Sequence, residues 1–237
     1  MELINAILKD EALVAAMDRL LPDDAQAHVW WLGQSGFLLQ WKGKRVLLDP
    51  YLSDSLTKKY EHTDKPHTRI SERVISPELL KQINVVSSSH NHTDHLDAET
   101  LKPILANNPG IQFIIPEANR AFVTERVNCA LDFPIGLNDG MAVQLDEFSF
   151  HGIPAKHNEI DRDEQALADG NVHDGAGALD DIAFLDLRVR AKDHDADIVR
   201  FKVERHALHA IGELDHLAGL HIVEAVNAGD TIADAEH

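Results

Sequence analysis

Four side chains able to bind a metal lie within six positions of one another, in His90-Asn91-His92-Thr93-Asp94-His95. In an extended segment, residues two apart point the same way, so His90 and His92 can share one ion. A turn after them would let Asp94 and His95 face a second ion. Imidazole and carboxylate donors suit Zn²⁺, and also Mn²⁺ or Fe²⁺. An accidental run of His in a polar loop is the competing explanation. It gives no reason for the cluster to follow an apolar run, 83–89, whose strand end would open into a cleft.

The surrounding elements follow from patterning. Apolar residues at helical spacing predict an amphipathic helix over 3–20, ended by Pro22-Asp23-Asp24. Strands are predicted from Val29 to Leu32, Phe37 to Trp41 and Arg45 to Leu48, the last two joined by the turn Lys42-Gly43-Lys44. Ser76-Pro77-Glu78 opens a short helix, with Ser76 as N-cap and Pro77 at the first position. A strand from Asn84 to Ser88 runs into the His cluster, and Asp97 caps a helix reaching about Ala106. A strand from Gln112 to Ile115, a helix from Pro116 to about Val127 and strands at 141–145 and 147–153 complete this half. Further on, 182–189 and 198–203 form a hairpin around Lys192 to Asp195. The alternation is α/β, with adjacent antiparallel strand pairs.

Composition narrows the function classes. Of 237 residues, 22 are Lys or Arg and 40 are Asp or Glu, a net charge of −18, which argues against nucleic-acid or anionic-membrane binding. The single Cys129 excludes an internal disulfide and an all-Cys metal site, and its surroundings mark it as an inert thiol. No stretch approaches the roughly 20 apolar residues of a spanning helix. A cytoplasmic protein acting on a small molecule is the expectation, with the 3–20 helix free to pack on the domain or on a second copy in a homo-oligomer. Residues 166–237 differ from the rest: they lack Pro, Ser, Trp and Tyr, hold seven of the fifteen His, and carry half of the net charge. A second module, drift from a family pattern and a change of reading frame all fit that break.

Three segments resemble the metallo-β-lactamase superfamily: Trp30-Trp31-Leu32-Gly33-Gln34-Ser35-Gly36-Phe37, then Leu47-Leu48-Asp49-Pro50-Tyr51-Leu52, then Ser89 through Asp97. Their order is most similar to the ascorbate-6-phosphate lactonase-like hydrolases, and is shared with the N-acyl phosphatidylethanolamine phospholipase D type. The resemblance covers about 28–165. It implies a single αββα sandwich over 1–237, with 1–27 as an N-terminal helical extension and 166–237 as a divergent second half. It implies two divalent ions at one edge of the sheets, held by His90 and His92 on the first and by Asp94 and His95 on the second. His157, in Gly152-Ile153-Pro154-Ala155-Lys156-His157-Asn158, matches the third ligand of the first ion. Asp49 matches a position that orients a ligand His. The family's bridging Asp lies in an S-G-D-T stretch; here Gly229-Asp230-Thr231 comes far later, with Asp230 as the counterpart. A terminal His has several candidates, His216, His221 and His237.

The implied reaction is hydrolysis of a lactone or phosphate ester. A dinuclear centre lowers the pKa of a water molecule from about 15.7 towards about 7, and Asp94 would orient that nucleophile and shuttle its proton. Lys58, Lys59, Lys65 and Arg69 form a basic run between the Asp-Pro step and the His cluster, where an anionic substrate or plain solvation would explain them. Two other classes remain at this stage: a non-catalytic metal binder with an incomplete second site, and an acidic interaction module over 166–237.

Overall fold

A computed structural model describes residues 3–20, 22, 26–146, 148–153, 184–190, 197–201 and 220–224. Two sheets dominate. The first runs β11-β1-β2-β3-β4-β5-β6 and the second β10-β9-β8-β7. In the first, β1 (Ala27–Trp31), β2 (Phe37–Trp41) and β3 (Lys44–Leu48) form an antiparallel meander. The strands β4 (Val85–Ser87), β5 (Gln112–Pro116) and β6 (Ile135–Leu137) then add in parallel to β3. Parallel addition needs crossovers: the segment 49–84, which carries α2 (Ser55–Tyr60), links β3 to β4, while α3 (Ala98–Asn107) links β4 to β5 and α4 (Arg120–Val127) links β5 to β6. On the far side, β11 (Leu220–Glu224) pairs in parallel with β1.

Strand alternation sorts the side chains into two cores. Leu38, Leu47, Val86, Phe113 and Ile115 face the helices, packing with Leu13 and Met17 of α1 (Asp10–Asp18), Leu101 and Ile104 of α3, and Val123 and Val127 of α4. Leu39, Trp41, Val46, Leu48, Val85 and Ile114 face the other way, onto Phe148 and Phe150. Those Phe residues belong to β8 (Phe148–Ile153), which pairs with β7 (Ala142–Leu145) and β9 (Phe184–Arg190), and Trp41 meets Phe148 edge-on with ring centroids 6.1 Å apart. A helix layer, a sheet and a second sheet are therefore stacked, as an α/β sandwich requires.

The predicted hairpin in the second half is present as β9 against β10 (Asp197–Phe201), antiparallel. The predicted helix over 3–20 is shorter. Only Asp10–Asp18 is helical, whereas Ile4 bridges in parallel to Ser71. Ile4 donates its N–H to Ile70 and accepts from Glu72, and the Ala6 N–H and Lys9 bond the Glu72 carboxylate. Pairing with a neighbouring segment satisfies these backbone groups better than a frayed first helical turn would. Pro116 to Val127 is likewise divided, into a 3-10 turn at Glu117–Asn119 followed by α4. Among the described residues no helix is long and apolar enough to cross a membrane.

Candidate metal centre

β3, β4, β5 and β6 are parallel, so their C-terminal ends share one edge. Asp49 follows β3 there, and His90 follows β4 by three residues. Open α/β sheets place ligand sites at such an edge.

Asp49 is 1% exposed and has φ 45°, a conformation that few residues other than Gly adopt but that Asp tolerates. Four donors hold it. Oδ1 accepts from Ser87 Oγ at 3.1 Å and from the Ser89 N–H at 2.9 Å. Oδ2 accepts from the Ser89 hydroxyl and lies 2.7 Å from His95 Nδ1. Burial by itself pushes the Asp49 carboxyl up; the hydrogen bonds from His95 and Ser89 and the adjacent imidazoles of His95 and His90 outweigh it and hold the group below its ordinary value.

The segment 90–96 is a compact turn rather than an extended strand, which corrects the expected geometry of the His90–His92 pair. The carbonyl of His92 accepts from the N–H groups of His95 at 2.9 Å and Leu96 at 2.7 Å. This curl, not a two-residue strand repeat, gathers the imidazoles. Ring centroids of His90 and His92 are 4.8 Å apart, and those of His90 and His95 are 4.1 Å apart. Ligand atoms of Asp49, His90 and His95 all lie within 4.8 Å of one another. Asp94 Oδ2 is 3.7 Å from His95 Nε2. His90 is buried, while His92, Asp94 and His95 are half-buried, as a site open to a ligand on one side requires. Imidazoles and carboxylates are the donor set of a divalent transition-metal ion, and the three groups whose ligand atoms converge, Asp49, His90 and His95, fit one such ion. Asp49, expected only to orient a ligand His, thus takes a place in the cluster itself.

Remote side chains fix the shape of this turn. Ser35 Oγ donates to the Asp94 carbonyl at 2.6 Å. Arg126 Nη1 donates to the carbonyls of Asn91 at 3.2 Å and Leu96 at 3.3 Å, with its guanidinium over the Phe122 ring. Asn91 Nδ2 donates to Asn119 Oδ1 at 3.0 Å. Asp97 ends the turn by capping α3, accepting from the Glu99 N–H. Reading the sequence missed Ser35, Ser87, Ser89, Asn119 and Arg126. The three Ser residues adjoin the motifs and so carried some signal, whereas Asn119 and Arg126 carried none, because only the fold brings α4 against the turn.

The basic run is not a single patch. Lys58 pairs with Glu99 at 2.8 Å, and Lys59 and Lys65 are exposed. Arg69 is buried, donating to the Ser53 carbonyl at 2.8 Å and lying 3.4 Å from Asp54. Cys129 is half-buried, and burial raises its thiol pKa, in keeping with an inert group. His157, Asp230, His216 and His237 lie outside the described residues. His221 pairs with the buried His28 in the β11–β1 register, three positions before Glu224 at the strand's C-terminal end.

A mitochondrial N-acyl-phosphatidylethanolamine-hydrolyzing phospholipase D of Saccharomyces cerevisiae is 31% identical over 94 residues, 40% of this chain and 19% of that protein. A UPF0173 metal-dependent hydrolase of Hyperthermus butylicus is 27% identical over 135 residues, 55% of this chain and 51% of that protein. The chain thus spans about half or less of the length of the curated relatives it matches. A possible metal-dependent hydrolase from Veillonella parvula superposes with a TM-score of 0.47 at 17% identity, covering 71% of this chain and 58% of that one. Residues 28–173, more than half of the chain, match the profile of the β-lactamase superfamily domain, and the protein belongs to the metallo-β-lactamase superfamily.

Proposed function

We propose that the protein is a metal-dependent hydrolase acting on a lactone or phosphate-ester small molecule. The observation that carries the reading is the convergence of the His90, His92 and His95 imidazoles and the Asp94 carboxylate at the edge where Asp49 is buried. Two divalent ions, Zn²⁺ or Mn²⁺ with Fe²⁺ also accommodated, would supply a Lewis acid and a water molecule ionised near neutral pH. His90 and His92 would hold one ion, and Asp94 and His95 the other. Asp49 orients His95: its carboxylate engages Nδ1 and turns Nε2 toward Asp94, the carboxylate–histidine pairing common around metals. Asp94, half-exposed beside that nitrogen, would accept the proton released by the attacking water.

Two further ligands come from beyond β8 in this reading. Gly152, near the end of β8, is hydrogen-bonded to Gly140 and Met141 just beyond β6, so β8 delivers the chain to the site edge. His157 follows Ile153 by four residues, a reach of up to ~14 Å, and β6 stands about 10 Å from β4 at two strand spacings. β11 also ends at that edge, because β1 and β3 run in the same direction. Asp230 follows Glu224 by six residues, a reach of up to ~20 Å, against about 14 Å for the three spacings to β3. These relations support His157 and Asp230 as ligands and 1–237 as one functional unit.

The test is metal analysis of the purified chain and of His90→Ala, alongside turnover of lactone and phosphodiester probes. Two tightly bound ions in the parent, loss of metal in the variant and hydrolysis of either probe class support the proposal. One ion or none, with no turnover of either probe, favours a non-catalytic metal binder and overturns it.

A further inference from the structure

We propose that Ser35 is a positioning residue that sets the Asp94 carboxylate for the second ion; this rests on the two-ion reading above. Asp94 has a half-exposed side chain with no hydrogen bond to any of the described residues, and His95 Nε2 lies 3.7 Å from its Oδ2. Nothing on the carboxylate itself therefore fixes its direction, and the backbone must do so. Among the described residues the Asp94 carbonyl has one anchor, the Ser35 hydroxyl at 2.6 Å.

Ser35 is suited to anchoring because its own turn is locked on two sides. Gly33 has φ +81° and lies so close to Ser71 that a Cβ would come within 2.8 Å of its Oγ. Gly36 lies against the Asp49-Pro50 step, where a Cβ would come within 3.1 Å of Pro50 Cα. The turn is closed by the Leu32 N–H on the Gly36 carbonyl at 2.8 Å. One short turn thus abuts the strand end that bears Asp49 and bonds the residue beside His95. Arg126 acts differently, gripping the carbonyls at both flanks of the turn and so holding it as a whole. Among the described residues the Ser35 hydroxyl bonds the Asp94 carbonyl and no other group.

The experiment is titration of the metal-free chain with Co²⁺, followed by the visible absorption of the bound ion, for the parent, Ser35→Ala and Ser35→Thr. Ser35→Ala is expected to take the first ion with unchanged affinity and the second about tenfold or more weakly, the range seen when residues that orient metal ligands are removed. Ser35→Thr, which keeps the hydroxyl, restores the second step. Two parent-like steps in Ser35→Ala overturn the proposal while leaving the two-ion reading intact. Equal weakening of both steps also overturns it, by showing a general effect on the turn. A parent chain that takes up fewer than two ions overturns the two-ion reading, and this inference with it.

Discussion

Asp49 and His95 are separated by 46 positions in the chain, yet Oδ2 of one lies 2.7 Å from Nδ1 of the other. The contact joins the end of β3 to the His-rich turn after β4, and it is possible because those strands are parallel neighbours. With Asp49 ionised, Nδ1 of His95 carries the proton and donates it into this bond.

Asp49→Asn should weaken metal binding by about 10–100-fold, because the amide offers no charge to hold His95 in that orientation. It should also change the acid limb of stability. Asp49 titrates below its ordinary value in the fold, so its contribution is present above the unfolded value of about 3.9 and is lost as pH falls through the lower folded value. Urea midpoints of the metal-free chain measured from pH 6 to pH 3 should therefore fall less steeply in Asp49→Asn than in the parent.

Arg126→Ala removes donors from the carbonyls of Asn91 and Leu96. Hydrogen bonds from a charged donor contribute about 1.5–3 kcal/mol each, so the turn should open more often. Amide hydrogen exchange at His95 and Leu96, whose N–H groups close the turn, should accelerate by about tenfold or more at the lower bound of that range. Exchange in β2, remote from Arg126, should not change.

Gly152→Ala tests how the second sheet is docked at the site edge. A Cβ there would come within 2.2 Å of the Asn138 carbonyl oxygen, a backbone atom. The chain must shift to admit it, and overpacking of this kind costs about 1–3 kcal/mol. The expected outcome is a lower thermal midpoint, with metal loading reduced because the segment leading to His157 is displaced.

His157→Ala and Asp230→Ala should each lower metal content without unfolding the chain, measured by elemental analysis beside circular dichroism. Full retention of metal in His157→Ala would remove it from the centre. The same result in Asp230→Ala would remove the late Gly-Asp-Thr stretch.

Much of the fold was legible in local patterning. Short apolar runs in 37–41, 45–48 and 112–115 and the Asp97 cap on α3 describe elements whose stability depends on near neighbours. The segment 3–9 was misread because its apolar spacing fits a helical face, while the partner that overrode it, Ile70 to Glu72, lies more than sixty residues away.

The donor types of the candidate centre were likewise written in the chain, since His90, His92, Asp94 and His95 are close in sequence and suit a divalent ion. What tertiary structure decided is their arrangement. A curled turn rather than an extended strand gathers the imidazoles, the buried Asp49 aligns His95, and Ser35 and Arg126 hold the backbone from two unrelated elements. Those contacts bridge 35 to 59 positions and exist only because parallel strands bring their C-terminal ends to one edge, a pairing that no local spacing encodes.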